Sequence, residues 1–210
     1  MKKSAKKVVF LDRDGVINEF PGNGNYVTKV KDFRFLPRSL EALRLLKEAK
    51  CTVFVISNQA GVGKGVYSLE KLNRINKKML QGADQAGGHI KKAYYCIHRP
   101  DAGCSCRKPN IGSIYKALHS IDRSIRSAKN TYFVGDTKTD IETGFKAGCK
   151  TIFVLSGREN RRYMRSWLIK PDYIVKDLYE AVRIIINGHD KTLHRRHRNP
   201  EANKVNPKRK

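Results

Sequence analysis

A three-layer α/β sandwich built on a mostly parallel central sheet is the fold this sequence predicts. Three observations point to it. Short apolar runs at 8–11, 52–56, 93–96, 131–134, 151–155 and 173–175 each have the length of a strand. Segments of helical character lie between them, and strands that alternate with helices make a parallel sheet covered on both faces. Several runs stop abruptly at polar residues, as strands do where such a sheet opens onto a ligand.

The first run, Val8-Val9-Phe10-Leu11, is apolar without interruption, which marks a strand buried on both faces. Asp12-Arg13-Asp14-Gly15 follows. At strand spacing Asp12 and Asp14 project to the same side, and Gly15 lets the backbone turn away. Two adjacent carboxylates repel, and a site that offers only oxygen ligands suits Mg²⁺. Residues 19–31, rich in Gly and Asn, make a loop beside that strand end. Leu40, Leu43 and Leu46 space a helix over 37–49, with Pro37 near its first turn. The second strand ends in Ser57-Asn58-Gln59, and Gly61, Gly63 and Gly65 make the next loop flexible. Ser68 caps a helix that runs to about residue 86. The third strand leads into a loop holding Cys96, His98, Cys104 and Cys106, and Pro109 and Asn110 open a helix near 111–120. The fourth strand ends in Gly135-Asp136, with Asp140 close behind on a helix that Gly148 closes. After the last strand a helix over 177–187 stops at Gly188. No internal repeat is visible.

At 210 residues, 40% of them hydrophobic, the chain suits one domain with a proper core, expected over 1–188. Residues 189–210 are basic and aperiodic, and are expected to form a disordered tail. No apolar run approaches a membrane span, and the run behind the basic N-terminus is too short for a signal peptide, so a cytoplasmic protein is expected. Lys and Arg number 44 against 19 Asp and Glu, a net charge of +25. The last twenty residues hold only eight of those bases, so the excess is general. A nucleic-acid footprint would be clustered. A general excess still draws anionic substrates in. Five cysteines, three of them clustered around His98, argue against a disulfide framework. Three thiolates and an imidazole with no carboxylate fit a closed, tetrahedral, structural zinc site instead, on the loop 96–106 that leads directly into Arg107 and Lys108.

Four segments, FLDRDGVIN (10–18), SNQAGVGKG (57–65), YYCIHRPDAGCSCRKP (94–109) and VGDTKTD (134–140), resemble the haloacid dehalogenase superfamily of phosphohydrolases. The likeness runs from Val8 to about Asn187. Within the superfamily it is nearest to the phosphatases that remove the 7-phosphate of D-glycero-D-manno-heptose 1,7-bisphosphate, and to their relatives that act on histidinol phosphate. The resemblance implies Asp12 as the nucleophile that forms an aspartyl-phosphate. It implies Asp14 as proton donor and then base, with Ser57 and Lys108 on the transferring phosphoryl group. It also implies Mg²⁺ on Asp12, the Asp14 carbonyl and Asp136, and substrate contacts from Asn58, Arg107 and Tyr26. The chain departs from its relatives at Ile97, where many have proline, and at Thr137, where lysine is common. No insertion is long enough for a large cap domain, so an open site on a monomer is expected, suited to a small phosphorylated sugar. Histidinol phosphate is the alternative substrate. A nucleic-acid-end phosphatase and a basic nucleic-acid-binding protein are disfavoured, the latter because a mere binder needs no such set of catalytic groups.

Overall fold

The computed structural model describes residues 7–121 and 130–187. The expected tail, Gly188 as helix stop and the basic stretch before Lys7 lie outside the described residues. Six strands form one parallel sheet in the order β3-β2-β1-β4-β5-β6. They are β1 (Val8–Leu11), β2 (Thr52–Asn58), β3 (Lys92–Cys96), β4 (Thr131–Gly135), β5 (Lys150–Val154) and β6 (Tyr173–Val175). Five helices cover the sheet: α1 (Ser39–Glu48), α2 (Leu69–Gln85), α3 (Gly112–His119), α4 (Lys138–Lys146) and α5 (Leu178–Asn187).

Strand alternation sorts the core into layers. Val9, Leu11, Val53, Val55 and Val134 pack against Leu43 of α1, Ile75 of α2 and Val182 of α5. Val8, Phe10, Phe54 and Phe133 face the other way, onto Ile114 and Leu118 of α3. Phe153 meets Ile141 of α4 and Trp167 in a smaller cluster. Both faces are therefore covered, which is why β1 tolerates no polar residue.

Three element boundaries differ from those expected. Strand β2 runs through Ser57 and Asn58, because both still pair with Tyr95 and Cys96 of β3. Helix α1 begins at Ser39, after Arg38 in a left-handed conformation whose guanidinium lies over the Tyr179 ring of α5. Helix α3 begins at Gly112, because the residues before it form a turn closed by Asn110 N donating to Arg107 O. Ser68 caps α2 through Lys71 N, and Gly148 ends α4 at φ +70°, both as expected.

The chain leaves β1 toward β2 and β3 on one side, then returns to β4 on the other. That reversal opens a crevice beyond the carboxyl ends of β1 and β4, where ligands bind in doubly wound sheets. Asp12 lies at its edge, its amide still donating to Val134 O (3.0 Å). No helix among the described residues is long and apolar enough to cross a membrane.

Lys7 ties the two ends of the fold together. Its ammonium donates to Ile185 O (2.5 Å) and Ile186 O (3.1 Å) in the last described turn of α5. Lys7→Met should lower the unfolding free energy by about 1 kcal/mol. A urea titration should show an earlier midpoint at unchanged slope. An unchanged midpoint would show that the contact contributes nothing.

Candidate active site

Three buried carboxylates converge at the crevice: Asp12 after β1, Asp136 after β4 and Asp140 in the first turn of α4, their oxygens within 4.8 Å of one another. Lys108 comes in from the Cys/His loop and joins two of them, with Nζ 3.0 Å from Asp12 Oδ1 and 2.6 Å from Asp140 Oδ1. Asp140 is otherwise held by Thr137, whose amide and hydroxyl both donate to Oδ2 in a capping box. Both oxygens of Asp140 therefore have partners. Those of Asp136 do not: Oδ2 accepts Arg158 N (2.6 Å), while Oδ1 is buried with no hydrogen-bond partner.

Electrostatics set these groups apart. Burial pushes Asp12 up to about 6, helped by Asp140 and Asp14 and opposed by Lys108. Burial also raises Asp136 well above the ordinary carboxylate range, with Asp12 and Asp140 adding to it. Burial alone would depress Lys108, but Asp12 and Asp140 outweigh it and hold the ammonium above its usual value. Four carboxylates, Asp14 included, face two buried cations, Lys108 and Arg13. The imbalance of two charges and the unpartnered Asp136 oxygen fit one divalent cation with oxygen ligands. The backbone leaves space for this cluster: a Cβ on Gly15, which sits at φ +82°, or on Gly157 would run into the Asp136 carboxylate.

Asp14 stands apart from that cluster. Arg13, fully buried, donates from Nε and Nη2 to Oδ1 (3.1 and 2.9 Å) and from Nη2 to Oδ2 (2.9 Å). Asn18 Nδ2 also reaches Oδ1 (2.9 Å), and Gln59 Nε2 reaches Oδ2 (2.8 Å). The same Gln59 nitrogen lies 3.2 Å from Ser57 Oγ, so one amide connects Asp14 to Ser57. Side-chain exposure falls from 18% at Asp14 and 12% at Asp12 to 3% at Lys108 and none at Asp140. A ligand arriving from solvent meets Asp14 and Asp12 first, and Asp140 lies behind Lys108.

Asn58 is tied to the lysine backbone: its Oδ1 accepts Lys108 N (3.1 Å) and its Nδ2 donates to Lys108 O (3.2 Å). The cause is the longer β2. Successive strand residues point to opposite faces, so Ser57 and Asn58 diverge. Arg107 carries a buried Nη1 without a partner. Tyr26 lines a groove of about 470 Å³ with Glu19, Phe20 and Val66, its ring 6.0 Å from that of Tyr67.

The cysteine loop closes on itself. Cys96 Sγ lies 3.5 Å from Cys104 Sγ and 3.7 Å from His98 Nδ1, and Cys106 Sγ lies 3.6 Å from Cys104 Sγ and 3.2 Å from His98 Nδ1. A tetrahedron with zinc–sulfur bonds of about 2.3 Å has edges of about 3.8 Å. The four donors thus enclose a space of that size.

The residues that sequence reasoning left without a role are Arg13, Asn18, Gln59, Tyr67 and Asp140. Arg13, Asn18, Gln59 and Asp140 lie within the segments that carry the family resemblance, and Tyr67 stands outside them.

The HAD-hydrolase-like family model matches residues 105–181. The chain is 32% identical over 180 residues to a D-glycero-beta-D-manno-heptose-1,7-bisphosphate 7-phosphatase of Pseudomonas putida, covering 86% of this chain and 99% of that one. It is 31% identical over 196 residues to a D-glycero-D-manno-heptose-1,7-bisphosphate 7-phosphatase of Chlorobaculum tepidum, covering 87% and 95%. Among solved structures it is similar to the D,D-heptose 1,7-bisphosphate phosphatase of Bordetella bronchiseptica complexed with magnesium and phosphate. The TM-score is 0.79 at 30% identity, over 87% of this chain and 99% of that one.

Proposed function

The chain belongs to the haloacid dehalogenase-like family of D-glycero-D-manno-heptose-1,7-bisphosphate 7-phosphatases, and we propose that it hydrolyses the 7-phosphate of such a heptose bisphosphate through an aspartyl-phosphate on Asp12. One observation carries this reading: a buried carboxylate at the edge of the crevice, Asp12, rests against a buried ammonium that a second carboxylate holds in place.

An Asp12 oxygen attacks phosphorus as the bond to the leaving oxygen breaks, and Asp14 gives that oxygen a proton. Water then attacks phosphorus while Asp14 takes up its proton, and the bond to Asp12 breaks to release phosphate. Lys108, pinned by Asp12 and Asp140, keeps its charge aimed at the phosphoryl oxygens without reorganising. Ser57 donates a hydrogen bond to the same group. Asp12, Asp136 and the Asp14 carbonyl are the groups that would hold Mg²⁺, which when bound neutralises further phosphoryl charge. Arg107 and Tyr26 are assigned to the rest of the substrate, supported by the unpartnered Arg107 Nη1 and the groove at Tyr26. Zinc on Cys96, His98, Cys104 and Cys106 is structural and holds the loop from which Arg107 and Lys108 emerge. The protein works in this reading as a monomer, in the cytoplasm.

A substrate panel tests the assignment. Both anomers of the heptose bisphosphate, histidinol phosphate, fructose 1,6-bisphosphate and a 3′-phosphorylated oligonucleotide are compared by kcat/KM. One heptose anomer should lead, and a clear lead for any other compound would move the assignment to that substrate.

The two carboxylates should separate in a phosphoenzyme trap. With an aryl phosphate, whose leaving group needs little protonation, Asp14→Asn should accumulate one phosphoryl group on the peptide holding Asp12. Asp12→Asn should show none. Acid quench and mass spectrometry read the label, and label on another residue would remove Asp12 from its role.

Zinc content is a third check. Protein purified without chelators should carry about one zinc per chain, and Cys104→Ser should loosen the loop and lower activity although no cysteine reaches the chemistry. Zinc-free protein with reduced cysteines and full activity would rule out the structural zinc.

A further inference from the structure

Gln59 and Tyr67 have no part in the scheme above, yet both are almost wholly buried and joined to it. Gln59 Nε2 lies 2.8 Å from Asp14 Oδ2 and 3.2 Å from Ser57 Oγ, and Tyr67 Oη lies 2.6 Å from Gln59 Oε1. An amide nitrogen only donates and an amide oxygen only accepts, so the nitrogen of Gln59 gives its hydrogen to Asp14 Oδ2 and its oxygen receives one from Tyr67. Tyr67 therefore donates. Burial lifts its phenol above the ordinary tyrosine value, which keeps that proton in place. The second amide hydrogen points to Ser57 Oγ, so Ser57 accepts there and its own hydrogen is left for another acceptor.

We infer that Gln59, locked by Tyr67, is a positioning residue that sets the Asp14 carboxylate and the Ser57 hydroxyl in register on one substrate phosphate. Resting on the phosphatase reading above, this assigns the alignment of proton carrier and phosphoryl-holding hydroxyl to a single amide. Asp14 Oδ1 already receives Arg13 and Asn18, whereas Gln59 is the partner other than Arg13 recorded for Oδ2. Gln59 thus shares with Arg13 the hold on the second oxygen. Without the Tyr67 hydroxyl the amide is free to turn over, which would bring its oxygen against the Asp14 carboxylate and withdraw both donated bonds.

The surroundings keep this lock closed. A Cβ on Gly61 would strike both the Tyr67 and Tyr26 rings, so glycine there lets the two aromatics pack over the loop. Gly63 N donates to Ile97 O (3.0 Å) and Gln59 N to Cys96 O (2.7 Å), which ties the loop to the start of the cysteine cluster.

The test compares Tyr67→Phe, Gln59→Leu and Asp14→Asn with wild type on two substrates. One is the alkyl phosphate that wild type turns over best, the other p-nitrophenyl phosphate, whose leaving group needs little proton. Tyr67→Phe should lower kcat on the alkyl phosphate about tenfold, the worth of one hydrogen bond, with KM nearly unchanged. The loss on the aryl phosphate should be clearly smaller. Gln59→Leu should show the same preference more strongly, and Asp14→Asn sets its upper limit. A purely structural role would scale both substrates alike. Equal losses on the two substrates, or no loss in Tyr67→Phe, would overturn the inference. Tyr67→Phe keeps the ring and its packing, so it decides the matter even where Gln59→Leu fails to fold. Wild type inactive on every phosphate ester would instead remove the phosphatase reading itself, and discrimination by Asp14→Asn alone would leave that reading standing and the inference refuted.

Discussion

The pairing of Lys108 with Asp12 and Asp140 is the interaction around which the site is arranged. A lysine with 3% of its side chain exposed is tolerable only beside opposite charge. Its two carboxylates come from different elements, one at the end of β1 and one in the first turn of α4. The fold must therefore bring three separate parts of the chain to one point. The strand order does this: β1 and β4 are neighbours, and the chain reverses between them. Asn58 then grips the Lys108 backbone from the end of β2. The cation is positioned at both ends, by its ammonium and by its own peptide groups.

The cysteine loop serves the same end. Between β3 and α3 the chain has little apolar material with which to fold, and the residues from Arg99 to Gly103 are exposed. Cross-linking by four side chains around one centre is an efficient way to order such a segment, because each fixed residue otherwise costs about 1–2 kcal/mol of backbone entropy. Arg107 and Lys108 follow Cys106 directly. What orders the loop also orders the two cations, and through Gly63 and Gln59 it reaches the loop carrying Tyr67.

Which parts of this were legible in the sequence follows from how local each signal is. Strands buried on both faces announce themselves as unbroken apolar runs, so β1 and β4 could be located from residue type alone. The end of β2 could not. Ser57 and Asn58 belong to the ladder only because β3 offers partners in register, and pairing between strands leaves no mark in either one. Its place at the strand end turns Asn58 to the Lys108 backbone. Asp12, Asp14, Lys108 and Asp136 stood out because they fall in segments that resemble a known family. The Asp140 contact with Lys108 spans 32 residues and requires the capping box of α4 to aim the carboxylate, which the sequence expresses only as an aspartate one turn along. Gln59 and Tyr67 look ordinary in a glycine-rich loop, and their link to Asp14 exists only once that loop has folded over Gly61.

The charge of the protein and the charge of its site have opposite signs, and both are useful. The chain as a whole carries +25, while the crevice gathers four carboxylates around two cations. At long range the basic surface favours the arrival of a phosphorylated molecule. At short range a bare crevice would repel it, because in the proposed mechanism Asp12 approaches a phosphorus shielded by anionic oxygens. The repulsion is offset only where positive charge is fixed beside the nucleophile. Lys108 supplies one such charge, and the unpartnered Asp136 oxygen marks where a divalent cation would supply the rest. In the proposed mechanism the surplus of negative charge is therefore what would make a nucleophilic carboxylate compatible with an anionic substrate: it would recruit the cation that the attack requires.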